Sequence, residues 1–264
     1  MAIGKSIRFI KSVIWNYNKP QAAKTKDILD FLSLVKPVET EVGLIRLGKE
    51  SDGGYLVPDD FDGIESCFSP GVSVTADFEF DLTQRGIKCF LADASVEFPP
   101  IENPLFDFEK LFLGIETKDK YITLSDWVSK KVGDSNRDLI LQMDIEGAEY
   151  SVLAETSEDT LKRFRMMVIE FHNLGRLRDD YGLEYIRSVF TKISKYFDIV
   201  HIHPNNSCQP IVFRGLEIPP MMEFTFLRKD RTLKKIPNKT FPHALDRKNS
   251  KRRKDVVLPR CWWS

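Results

Sequence analysis

Leu139-Ile-Leu-Gln-Met143-Asp144-Ile-Glu146-Gly147-Ala-Glu149-Tyr-Ser-Val-Leu153 is the stretch from which the fold can be read. Its apolar first half, Leu139, Ile140, Leu141 and Met143, predicts a buried strand. The strand stops abruptly at three carboxylates, Asp144, Glu146 and Glu149, with Gly147 allowing a tight turn between them. In open α/β sheets ligands bind in the crevice above the carboxyl ends of parallel strands. A second apolar run, Met166 to Ile169, ends the same way in Glu170-Phe-His172. Two neighbouring strands would then deliver Asp144, Glu170 and His172 to one crevice, the candidate site.

Upstream, Ser66 to Pro70 reads as the first core strand, passing through Gly71-Val-Ser73 into a helix that runs through Leu82 to Arg85. Lys88 to Asp93 is the second strand and again ends in a carboxylate. Asp93 follows Gly71 by 22 positions, near the roughly 20-residue offset at which an acid grips a nucleoside ribose. Residues 96–108 read as a proline-rich loop, Leu111 to Ile115 as the third strand and Leu124 to Lys131 as a helix. Before all of these, Asp52-Gly-Gly-Tyr55 calls for a tight turn, either a plain hairpin or a loop folded close to a ligand.

Downstream, Ala148 to Leu161 is expected to be one helix. A further helix from Leu183 carries Ile186, Val189, Phe190, Ile193 and Phe197 at helical spacing. Ile199 to His203 and Met222 to Arg228 are strands with no helix between them, so they should be antiparallel neighbours. The expectation is an α/β, Rossmann-like fold, a mostly parallel seven-stranded sheet with one antiparallel strand near its edge, which resembles the fold of S-adenosylmethionine-dependent methyltransferases. It divides the chain into an N-terminal helical extension (1–44), a methyltransferase domain (45–230) and a basic C-terminal tail (231–264).

Composition is that of an ordinary soluble globular chain: 264 residues, 42% hydrophobic, 30% charged, with 39 basic and 39 acidic side chains. The charge is unevenly placed, since residues 228–260 hold 13 basic and 3 acidic side chains. Such a segment can meet phosphates, acidic glycans or an anionic membrane surface, although most such runs are merely solvated. Residues 1–20, with Ile7, Ile10, Val13 and Ile14 among Lys5, Arg8 and Lys11, could form a basic amphipathic helix, either touching a membrane surface or packed on its own domain. No run approaches a membrane span of about 20 residues. Cysteines at 67, 89, 208 and 261 show no C-x-x-C spacing, which points away from zinc modules and disulfides and toward a reducing, cytoplasmic setting. Trp262 and Trp263 could anchor a partner or tuck into the domain.

Several stretches together resemble the FkbM-type methyltransferase family: Asp52-Gly-Gly-Tyr55, Ser69-Pro-Gly71-Val with Asp77-Phe-Glu79, Met143-Asp144-Ile-Glu146-Gly-Ala-Glu149, Ile169-Glu170-Phe-His172 and His201-Ile-His203-Pro-Asn205-Asn206. The resemblance spans roughly residues 45–230 and implies S-adenosylmethionine-dependent methylation of hydroxyl oxygens, often on sugars, glycolipids or polyketides. One departure stands out: the glycine turn usually reads Gly-x-Gly, and Ser73 replaces its second glycine. A dehydrogenase is the natural rival, but at its three fingerprint positions this chain has Gly71, Ser73 and Ala76.

On that reading Gly71 and Ser73 lie beneath the methionine part of the cofactor, Asp93 binds its ribose, Glu79 pins the turn or the amino group, and Asp144 borders it. An unactivated hydroxyl needs a base as it attacks, and His172, Asp144 and Glu170 are the catalytic candidates. His203, Asn205 and Asn206 are the candidates for holding a small-molecule or glycan acceptor. Glu170 and His172 share a strand face, as do His201 and His203, so a divalent metal is chemically possible but not favoured. Glu146 and Glu149 are explained at least as well by stabilising a helix N-terminus. Nucleic-acid methylation ranks below sugar methylation for want of an aromatic-basic surface pattern or an N/D-P-P-Y motif. The rival from another class is a non-catalytic binding module that keeps the fold.

Overall fold

Leu139, Leu141 and Met143 face one side of a sheet and Ile140 the other, and all four are fully buried. A strand that is apolar on both faces has to sit in the middle of a sheet covered on both sides. The computed structural model, which describes residues 20–233 and 235–264, places it there. The sheet strands are β1 (Ile64–Pro70), β2 (Lys88–Ala92), β3 (Phe106–Glu109), β4 (Asp138–Met143), β5 (Phe164–Phe171), β6 (Phe197–Pro204) and β7 (Met222–Arg228). Their spatial order is β6-β7-β5-β4-β1-β2-β3. Neighbours from β3 to β5 are parallel, and β7 runs antiparallel to both β5 and β6. The expected α/β fold, with one antiparallel strand beside the edge, is what forms.

The helices are α1 (Thr25–Leu34), α2 (Asp77–Thr83), α3 (Leu124–Val132), α4 (Glu149–Glu155), α5 (Glu158–Arg163) and α6 (Asp180–Ser194). Buried side chains of α1, α3, α4 and α6 join Leu139, Leu141, Phe171 and Phe224 in one core, closed by Trp262 from near the C-terminus. Phe31 of α1 meets Phe190 of α6 edge-on at 5.4 Å, the arrangement that ring quadrupoles favour. On the other face α2 packs with a hairpin, Leu44–Gly48 against Gly54–Pro58, over Cys67, Cys89, Ile140 and Val168. Thr225 of β7 donates to the Leu56 carbonyl at 2.6 Å, fastening the hairpin onto the sheet.

Three local expectations are corrected. The third strand is Phe106–Glu109, which begins within the expected loop; Leu111 to Ile115 contributes only Phe112–Leu113, which pairs with Tyr121–Ile122 in a separate ribbon. An edge strand is half-buried, so Phe-Asp-Phe-Glu carries no continuous apolar run to announce it. The single helix from Ala148 to Leu161 is two, because Ser157 is extended and its hydroxyl caps a fresh helix by accepting from the Thr160 amide. Phe197, read as the end of a helix, is the first residue of β6. The amphipathic segment expected within residues 1–20 lies, but for its last residue, outside the described residues. No described helix is long and apolar enough to cross a membrane.

Candidate functional site

The strand order reverses between β1 and β4, with β2 and β3 on one side and β5 on the other. At such a switch point the connections leave in opposite directions and open a crevice. Gly71 follows β1 with φ +91°, and a Cβ on it would lie 1.6 Å from the carbonyl oxygen of Asp144, the residue after β4. Only glycine allows the two chains to come that close. Ser73, in place of the family's second glycine, still adopts a left-handed φ of +39°, and its amide donates to Asp93 Oδ2 at 2.8 Å. The departure in sequence therefore leaves the turn's backbone shape in place. Asp93 is buried and also accepts from the Ser95 amide and hydroxyl.

A pocket beside this turn is lined by Asp52, Tyr55, Gly71, Glu79, Gln142 and Asp144, among others. Ser69 Oγ lies 2.5 Å from Glu79 and 2.8 Å from Gln142 Oε1, yet it has a single proton to donate. Both contacts are satisfied when Glu79 carries its own proton. Burial pushes Glu79 up to about 7 against the opposing hydrogen bond from Ser69, which agrees with that arrangement.

Asp144, Glu170 and His172 come together as expected. His172 Nε2 lies 3.9 Å from Asp144, 3.6 Å from Glu170 and 3.5 Å from Glu146. Its Nδ1 lies 3.1 Å from Glu149 Oε1. Glu149 is 0% exposed, and the same oxygen accepts from the amides of Ile145 and Gly147. Burial disfavours the imidazolium, but the Glu149 hydrogen bond and the charges of Glu149, Asp144 and Glu146 outweigh it and raise His172 above the ordinary histidine value. Asp144 is pushed up to about 7, chiefly by burial; His172 pulls it down and Glu146 and Glu149 add to the rise. Glu170 is raised well above the carboxylate range by burial and by Asp144 and Glu223.

The acceptor candidates separate. Asn205 donates to both oxygens of Glu170, at 3.1 and 3.2 Å, and stays with the crevice. His203 stands 3.6 Å from Asp246 and His201 2.8 Å from the same oxygen. Asn206 is fully buried and donates to the carbonyls of Ser250, Arg253 and Lys254, so it faces the C-terminal segment rather than the crevice.

Sequence reasoning missed Glu223, which β7 places directly opposite Glu170, and Asn249, whose amide bridges Glu223 (2.6 Å) and Asp52 (3.1 Å). Strand register put Glu223 there, and nothing local to Asn249 signals it. The link between Glu149 and His172 was half legible, since both were picked out but not as a pair. Asp144, Glu149 and His172 can each place one donor atom within 4.8 Å of the others, a set that could hold a metal ion.

Residues 100–196 match the model of the methyltransferase FkbM domain. Among solved structures, similar chains include one in a fibrillarin/Nop5p complex (12% identity, 63% of this chain and 73% of that chain, TM-score 0.36). The N-methyltransferase NodS from Bradyrhizobium japonicum WM9 (9%, 63% and 86%, 0.32) and a spermidine synthase from Thermotoga maritima (11%, 71% and 63%, 0.34) are also similar. No curated protein matches the chain. The strand order is that of a Rossmann-like α/β fold, and residues 100–196 within it are similar to a methyltransferase domain of the FkbM type.

Proposed function

We propose that the chain is an S-adenosylmethionine-dependent O-methyltransferase acting on a hydroxyl of a sugar, glycolipid or polysaccharide-type acceptor. The observation that carries this reading is His172, held by a buried carboxylate on Nδ1 with Nε2 turned toward Asp144 and Glu170. An Nδ1–H that donates to Glu149 leaves the lone pair on Nε2, the nitrogen that can take a proton from an acceptor hydroxyl. Asp144 stands beside Nε2 and steadies the imidazolium that results. Burial favours the neutral form of Glu170, which can donate a hydrogen bond to a hydroxyl, and Asn205 fixes its orientation.

Gly71, Ser73, Glu79, Asp93 and Asp144 would hold the cofactor, which supplies an electrophilic methyl group on a sulfonium. An acid-lined pocket with an unpartnered, buried Asp144 Oδ1 suits that positive charge. It suits a dinucleotide's pyrophosphate poorly. The polar groups of Asp52, Asn205 and Glu170 suit a polyhydroxylated acceptor, and four free cysteines are compatible with a reducing, cytoplasmic setting. In the second reading Asp144, Glu149 and His172 would hold a divalent ion, which would supply Lewis acidity to the acceptor hydroxyl.

Calorimetric titration with S-adenosylhomocysteine, with NAD as a parallel control, tests the cofactor. Micromolar binding of the former alone is expected, and binding of NAD instead would overturn the reading. His172→Ala should keep that affinity while turnover falls by about 10²–10⁴. Activity should survive exhaustive chelation; loss on chelation with recovery on adding a divalent ion would favour the metal.

A further inference from the structure

The eight residues Arg247-Lys-Asn-Ser-Lys-Arg-Arg-Lys254 carry six cations and no acid. Two buried asparagines pin this segment down. Asn249 donates to Asp52 and Glu223, and the Asp52 amide donates back to its carbonyl at 3.3 Å. Asn206 grips the carbonyls of Ser250, Arg253 and Lys254 and accepts from the Ser250 amide at 2.7 Å. Asp52 also lines the pocket that Asp144 borders, so the segment lies one side chain from the candidate site. Arg247 pairs with Glu50, and Arg253 donates to the Ser207 carbonyl. Lys248, Lys251, Arg252 and Lys254 are exposed and have no ion pair with any described residue.

Crowding like charges on a fixed turn is unfavourable unless something offsets them, and a free, solvated tail would let them spread apart. Here the backbone is tied in place by buried amides, and its anchor Asn249 reaches Asp52 at the pocket, so the four cations project from one fixed segment next to it. Four exposed cations within seven residues match an anion of more than one charge, which lysine and arginine bind through charge-assisted hydrogen bonds. We propose that this turn is a phosphate subsite and that the acceptor is a phosphate-bearing glycosyl compound, its sugar hydroxyl directed to His172 while its phosphate rests on Lys248, Lys251, Arg252 and Lys254. This deepens the sugar-methylation reading and rests on it.

The test uses the full chain and inorganic pyrophosphate as probe, measured by calorimetry at low and at physiological salt. The wild type should bind it in a salt-dependent manner, and the Lys251→Ala, Arg252→Ala, Lys254→Ala triple variant should bind at least about tenfold more weakly. The variant's affinity for S-adenosylhomocysteine should be unchanged, and the charge-preserving Lys251→Arg, Lys254→Arg pair should bind pyrophosphate like the wild type. Displacement by uridine diphosphate glucose would identify a soluble source. Binding to phosphatidylcholine vesicles carrying phosphatidic acid, without that displacement, would identify a lipid-linked one. Equal pyrophosphate binding by wild type and triple variant, or none by the wild type, overturns the proposal. So does a homopolymeric RNA that binds while pyrophosphate does not displace it. Loss of S-adenosylhomocysteine binding alone, with the pyrophosphate result intact, would count against the methyltransferase reading and leave the anion site standing.

Discussion

At Glu149 and His172 one hydrogen bond fixes which nitrogen faces the crevice and how strongly the ring holds a proton. Glu149 Oε1 serves three donors, the amides of Ile145 and Gly147 and the ring Nδ1. A glutamine keeps an oxygen for the amides but loses the charge that stabilises the imidazolium. Glu149→Gln should therefore lower the folded-state pKa of His172. His172 acts as a base only when neutral, so on the proposed mechanism the wild type gains activity as pH rises through its raised pKa. In the variant that limb of the kcat profile should move to lower pH, while the plateau rate falls about tenfold or more because the neutral ring is a weaker, less well oriented base. A profile that keeps its midpoint would remove Glu149 from any role in tuning the base.

The turn after β1 is decided by how closely two strand ends approach. Any side chain at Gly71 collides with the backbone of Asp144, which no rotamer can relieve. Gly71→Ala should cost about 3 kcal/mol or more, or shift Asp144 and the turn and abolish binding of S-adenosylhomocysteine. Thermal melting together with calorimetry measures both. Ser73 is different, because it already tolerates the left-handed backbone, and glycine there would relax it. Ser73→Gly should keep stability within about 1 kcal/mol of the wild type. A large loss in that variant would mean that the Ser73 side chain itself holds the turn.

Across the whole molecule, the last residues belong to the core that the first described helix begins. Trp262 is 0% exposed, lies 6.3 Å from Phe31 and donates its indole N–H to the Glu217 carbonyl at 3.0 Å. Burying an aromatic ring this fully accounts for a large share of a domain's small net stability. Trp262→Ala should destabilise by about 3–5 kcal/mol in denaturant melts. Because the crevice-side segment 246–254 is upstream in the same tail, that variant should also weaken pyrophosphate binding. An unchanged melting midpoint would show that the C-terminal segment folds independently of the core.

Period and position along the chain carried much of the architecture. Leu139 to Met143 and Met166 to Ile169 are too continuously apolar to be anything but central strands, and the carboxylates that stop them mark the ligand-binding edge. Asp144, Glu170 and His172 could be placed together at that edge for this reason, and Gly71 and Asp93 at the ends of the first two strands. Phe106–Glu109 was not, because an edge strand is only half-buried and writes no apolar run into the sequence. Nor could local pattern show that Glu223 would stand opposite Glu170, that Glu149 would hold His172, or that Asn206 and Asn249 would pin a basic segment to the domain. Those contacts join residues up to 197 positions apart. Sequence alone determined the central strands and where their acidic ends would gather, since burial is written in residue type and period; the edge strand, register and long-range closure, which depend on how the faces pack, were decided by the tertiary structure alone.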